Sequence, residues 1–319
     1  MSELPTYAKQ QEWRDIQSFL PQRLHFTPNH SPTEEVWHHR GHALHLDRWR
    51  NPSASVRLIM HHGMGTNGRM MSMLLGVPLH KAGFELVAID MPGYGCTVSK
   101  KGHVWDYEEW VNIASEFVDH EYENDKRPIA LYGLSAGGGL TFHVAGMNEG
   151  VRGIVGMCFM DMRIQSVADA ACRNLFMSRI GAPMGRVMHA LGLGWMSMPM
   201  YITGRMSTLV NNPQALAACM RDNSSANAWV SMSFLSSFTT YEPAKEPKDF
   251  DTCPILLTQP AEDRWTPLWV SEAFLRDVDK VKVKTVMLEG AGHYPLEDPG
   301  LGQMVEAIVA FLKDIEQEA

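Results

Sequence analysis

Ser135 lies in Gly133-Leu134-Ser135-Ala136-Gly137, between an apolar run over residues 129–132 and a glycine-led apolar stretch over 138–145. This spacing predicts a strand, a sharp turn and a helix, with the serine at the apex. Such a turn holds the serine backbone in a sparsely populated conformation at a cost of roughly 1–3 kcal/mol, and the flanking glycines leave room for close packing. Gly137 to Gly139 cost up to about 1 kcal/mol each in a helix, so local propensity is overridden where the helix meets the serine. A serine hydroxyl is a poor nucleophile at neutral pH. It needs a base within hydrogen-bond reach and a third group that fixes the base's tautomer.

Among fourteen histidines, His293 is the best placed. It follows the last expected strand and has Gly290 and Gly292 before it. The acid should end an earlier strand at the same sheet edge, and Asp263 follows the apolar run Ile255 to Gln259; Glu262 and Asp161 are the alternatives. Attack on a carbonyl also requires preorganised donors for the oxyanion, each typically worth ~10²–10³ in turnover. The backbone amide of Ala136 is one. His61-His62-Gly63-Met64-Gly65, at the end of another strand, offers the amide of Met64.

The elements that must position these groups follow from periodicity. Residues 5–20 read as a short helix docking Trp13, Ile16, Phe19 and Leu20, and residues 35–49 as two antiparallel strands around Gly41. A buried strand over 56–62 follows. Helices are expected over 69–82, 107–122 and 139–147, alternating with strands over 85–90, 129–132 and 153–159. Repeated strand–helix units imply a parallel sheet covered on both faces, with its reactive loops at the carboxyl ends of the strands. The alternation stops after Asp161. Residues 163–245 show no strand pattern, are rich in methionine and read as an inserted helical cap. A proline- and charge-rich linker then returns the chain to strands over 254–259 and 283–288 and helices over 267–278 and 301–315. The expected organisation is an amino-terminal helix and first part of the core over 1–162, the cap over 163–245 and the second part of the core over 246–319.

In order along the chain, His62-Gly63-Met64-Gly65, the loop Asp90 to Thr97, the Ser135 turn, Asp263 and His293 resemble the α/β-hydrolase superfamily. The resemblance covers the chain from about residue 35 onward. It implies an α/β fold with a mostly parallel central sheet. It also implies that Ser135 is the nucleophile, His293 the general base and then acid, Asp263 its orienter, and the Met64 and Ala136 amides the oxyanion hole. The cap is similar in position to the lids of lysophospholipase-like and monoacylglycerol-lipase-like members. Lids vary most in that superfamily, so substrate does not carry over. The dehalogenase and epoxide hydrolase members place an aspartate where this chain has Ser135.

Composition narrows the rest. The 319-residue chain is 45% hydrophobic, enough for a large buried core, and its net charge of −8 argues against nucleic-acid binding. No apolar run approaches the ~18 residues of a membrane span, and the start lacks a signal pattern, so a cytoplasmic location is expected. Five scattered cysteines suggest neither disulfides nor a zinc knuckle. Six histidines fall within residues 38–62, but His42, His45 and Asp47 have the wrong spacing for a metallo-lactonase site, so no metal or other cofactor is expected. The cap carries seven Lys and Arg against three Asp and Glu. Its methionines, with Trp195, Tyr201, Trp229 and Phe234, are candidates for an adaptable apolar pocket, cap core being the alternative for each methionine. The expected activity is hydrolysis of a linear acyl ester or a lactone through an acyl-enzyme. An amide or carbon–carbon bond hydrolase, or a ligand-binding protein on the same scaffold, are the alternatives.

Overall fold

The computed structural model describes residues 4–318. Eight strands form one sheet: β1 (Thr33–His39), β2 (His42–Trp49), β3 (Arg57–His61), β4 (Glu85–Ile89), β5 (Ile129–Leu134), β6 (Val151–Met157), then β9 (Ile255–Pro260) and β10 (Val283–Leu288). Two three-residue strands, β7 (Ser197–Pro199) and β8 (Trp229–Ser231), pair separately. The order in the large sheet is β1-β2-β4-β3-β5-β6-β9-β10. β1 and β2 run antiparallel to their neighbours, and every pairing from β4 to β10 is parallel. The hairpin at Gly41 is the expected one. Arg40 and Gly41 both have positive φ, 50° and 85°, as a two-residue turn matched to the strand twist requires.

Central strands β3, β4, β5 and β9 are buried along their whole length, which explains why their apolar residues run consecutively rather than alternating. Helices cover the sheet, among them Gly68–Lys81, Tyr107–Asn124, Ala136–Met147 and Gly300–Glu318. The first two are capped by side chains, Asn67 accepting from the Met70 amide and Asp106 from the Glu109 amide. The register sets β3 beside β5 with His61 opposite Gly133, so the loops leaving these strands emerge side by side.

Three expectations are corrected. The amino-terminal helix is shorter, a 3₁₀ turn at Tyr7–Lys9 and an α-helix at Glu12–Gln17, although Trp13, Ile16 and Leu20 are buried as expected. The helix after the serine turn begins at Ala136 rather than Gly139. Its glycines are there for contact: a Cβ on Gly138 would lie 1.9 Å from the Cys158 carbonyl oxygen, and one on Gly137 2.6 Å from that of His61. Finally, residues 163–245 do contain strands. β7 and β8 pair antiparallel, Pro199 opposite Trp229, but three residues are too few to show a two-residue period.

Candidate active site

Ser135 has φ 57° and ψ −123°, a conformation that L-residues rarely adopt. Its amide donates to the Met157 carbonyl at 3.1 Å and its carbonyl accepts from the Gly138 amide at 2.8 Å, so the turn is tied at both ends. The loop after β3 lies against it. A Cβ at Gly63 would meet the Leu134 oxygen at 2.5 Å, Ser135 Cβ at 3.0 Å and the Ala136 nitrogen at 3.3 Å. Only glycine permits that approach, which puts Met64 and Ala136 on the lining of one cavity with Ser135.

His62 fixes the Gly63–Met64 peptide. Its Nε2 accepts from the Met91 amide at 3.0 Å, so the proton sits on Nδ1, which donates to the Gly63 carbonyl at 2.9 Å. Burial holds its pKa below the ordinary histidine range and keeps the ring neutral.

At the same carboxyl ends of the sheet, beyond β6, Asp263 and His293 meet in the loops after β9 and β10. Asp263 Oδ2 accepts from His293 Nδ1 at 2.9 Å and from the Thr266 hydroxyl at 2.9 Å. Its Oδ1 accepts from the Trp265 and Thr266 amides, both at 2.8 Å. Burial alone would push this carboxyl up. The charge and hydrogen bond of His293, with the two amides, outweigh that and hold it below the ordinary aspartate value. With Nδ1 committed to Asp263, Nε2 is the basic nitrogen of His293. It is buried and has no hydrogen-bond partner among the described residues. The alternative acids lie elsewhere: Asp161 pairs with Arg163 at 2.8 Å, and Glu262 is exposed.

Sequence reasoning did not single out Thr266 or Trp265. The Trp265 ring lies 4.8 Å from that of His293, lines the cavity with Ser135 and donates to the Ala171 carbonyl at 2.8 Å. The available signal was a hydroxyl three residues after an aspartate in a tight turn, a pattern that satisfies the carboxylate locally.

The cavity is strongly apolar. Met160 and Met162 enter it from the loop after β6, and Met177, Met198, Met200 and Met232 from residues 163–245, with Leu235 and Phe238. Trp195, Tyr201 and Trp229 do not line it. They are 65%, 42% and 59% exposed, on the outer side of the insert. Phe234 is buried against Trp110 and Tyr107, so it is core.

Two groups could bring three metal-ligand atoms within 4.8 Å of one another, Glu34–His45–Cys96 and His42–His103–Glu109. Hydrogen bonds already occupy their histidines. His42 Nδ1 accepts from the Lys100 amide at 3.1 Å and its Nε2 faces Glu109 at 3.1 Å, while His45 lies between Glu34 (2.9 Å) and Asp90 (3.2 Å). A metal would have to displace these bonds.

A family model described as serine aminopeptidase, S33 matches residues 52–300. The chain belongs to this family. Solved structures share the S33 chain's α/β-hydrolase fold at low identity. A soluble variant of the Saccharomyces cerevisiae monoglyceride lipase, in complex with a substrate analogue, superimposes with a TM-score of 0.71 at 17% identity, over 93% of this chain and 98% of that one. The Paleococcus ferrophilus monoacylglycerol lipase gives 0.62 at 22% identity, over 85% and 99%. Mouse protein phosphatase methylesterase 1 is 25% identical over 122 residues, 38% of this chain, and the match spans about a third of that relative, 31%. The family marks the S33 chain as a hydrolase, and the solved structures show its fold.

Proposed function

We propose that the protein hydrolyses carboxylic esters with an apolar acyl part, linear or lactone, through an acyl-enzyme on Ser135. The observation that carries this reading is the buried Asp263–His293 pair, whose Nε2 is left without a partner beside Trp265, a residue that lines the Ser135 cavity. Ser135 Oγ attacks the ester carbonyl as its proton passes to His293 Nε2. Asp263 holds the ring and stabilises the cation that forms. The Met64 and Ala136 amides receive the oxyanion. His293 then gives the proton to the leaving alkoxide, and the acyl group stays on Ser135. A water, deprotonated by the same Nε2, attacks the acyl carbonyl, releases the acid and returns the proton to Ser135.

Residues 163–245 act as a cap over this site. The methionines they contribute supply unbranched, polarisable side chains that repack around acyl groups of differing shape. Small-molecule esters or lactones are the substrates in this reading, and its chemistry calls for no cofactor.

A screen of p-nitrophenyl esters and lactones of graded acyl length, run with and without chelator, tests the proposal. Turnover that rises with apolar acyl length and ignores chelator is expected. Negligible turnover across the whole series, with Ser135 still labelled by a fluorophosphonate, would instead point to amide or carbon–carbon bond cleavage.

A further inference from the structure

The outer side of residues 163–245 is the reverse of an ordinary amphipathic surface. A nearly continuous helix runs through Met177–Gly181, Ala182–Met188 and His189–Leu193. Its buried positions are small, Ser178 and Gly185, and Gly181 and Ala182 line the Ser135 cavity. The large apolar side chains face out instead: Phe176, Ile180, Met184, Val187 and Leu191, at intervals of three or four, are 63%, 51%, 53%, 53% and 72% exposed. Trp195, two residues past the helix, and Trp229, on β8, are exposed as well. Burying such a row would release substantial free energy, and soluble surfaces rarely leave one open without a partner.

Charge decides the kind of partner. Between Asp169 and Asp222 the chain has no acidic residue and five arginines, in a protein of net charge −8. Arg173 and Arg186 are exposed beside the apolar row and make no ion pair among the described residues; Arg179 is paired with Asp169. A symmetric contact between two copies would set these arginines against each other. An apolar row with arginines along it and tryptophans beside it fits a lipid–water interface bearing negative headgroups.

We propose that this face docks on an anionic lipid surface, with the 177–193 helix lying in the plane of the headgroups and Trp195 and Trp229 anchored among them. The protein lies on the surface and does not cross it: among the described residues, no helix is long and apolar enough to span a membrane. Docking goes beyond the hydrolase reading and does not depend on it.

The test is co-sedimentation of the full chain carrying Ser135→Ala with vesicles of equal parts phosphatidylglycerol and phosphatidylcholine, and with phosphatidylcholine alone. Using the serine variant keeps binding separate from turnover. Binding to the anionic vesicles is expected, weakened by added salt. The double change Arg173→Gln/Arg186→Gln should cut partitioning roughly tenfold, and Phe176→Ser/Val187→Ser/Leu191→Ser more than that, each with an unchanged Tm. Equal binding to both vesicle types, or an unchanged partition coefficient in a variant of unchanged Tm, would overturn the proposal. So would a dimer in solution that the triple change abolishes, because the face would then be an interface between copies.

Discussion

Asp263 accepts four hydrogen bonds, from the Trp265 and Thr266 amides, the Thr266 hydroxyl and His293 Nδ1. That many donors fix the carboxylate's orientation, and through it the histidine's tautomer. Asp263→Asn is isosteric but presents an amide N–H₂ or a neutral oxygen to Nδ1. It should leave the fold intact and lower kcat by roughly 10⁴, with KM little changed, in steady-state ester assays. At this scale the sequence was informative about position, because Ser135 directly follows a strand while Asp263 and His293 stand in the loops just after two other strands of the same sheet, and strand ends are readable from apolar runs. Thr266 and Trp265 were less so: their contribution lies in the turn's geometry, and a Thr or Trp after an aspartate is common in any loop. Trp195, Tyr201 and Trp229 mislead for a related reason. Hydrophobicity says that an aromatic ring favours burial, and it does not say which side of a thin insert the ring will take.

The amino-terminal segment is bound through a buried polar network rather than through apolar packing alone. The Tyr7 hydroxyl donates to Asp90, at 3.0 and 2.9 Å from its two carboxylate oxygens, and the Asp90 carboxylate also accepts from the Gly68 and Cys96 amides at 2.6 and 2.8 Å. The segment thus holds the start of the helix that follows the Gly63–Met64 loop. His45 lies between Asp90 and Glu34. Burial would lower its pKa, but hydrogen bonds and charge from those carboxylates raise it to about 10. The unfolded chain's histidine titrates near pH 6.5, so above that pH the folded state holds a proton that the unfolded state has lost. This stabilisation is complete below about pH 6.5 and is lost as the pH rises toward 10. Urea titrations across that window should show stability falling with pH, and His45→Gln should flatten the slope; an unchanged slope would remove His45 from the account. None of this was legible in residues 5–20, whose pattern announced a helix and its apolar face. The partners Asp90 and Glu34 are far away in sequence and only the folded sheet brings them to Tyr7.

At the scale of the molecule, the eight-stranded sheet brings a tied serine turn, a glycine-spaced amide loop and an Asp–His pair to the carboxyl ends of its strands, and methionines of residues 163–245 line a cavity with Ser135. The sheet was largely readable because buried parallel strands and their helices leave strong periodic signals. The insert was not, since its elements are short and partly π-helical, and its outward face is apolar. The division follows from function as proposed: the core performs one reaction, while the insert adapts to what is cleaved. The most direct test of that reaction is the turnover of a p-nitrophenyl acyl ester by the wild-type protein and by Ser135→Ala, matched for Tm. Hydrolysis by the wild type and loss of at least roughly 10³-fold in the variant are the expected results; turnover that survives the substitution unchanged would contradict the assignment of Ser135.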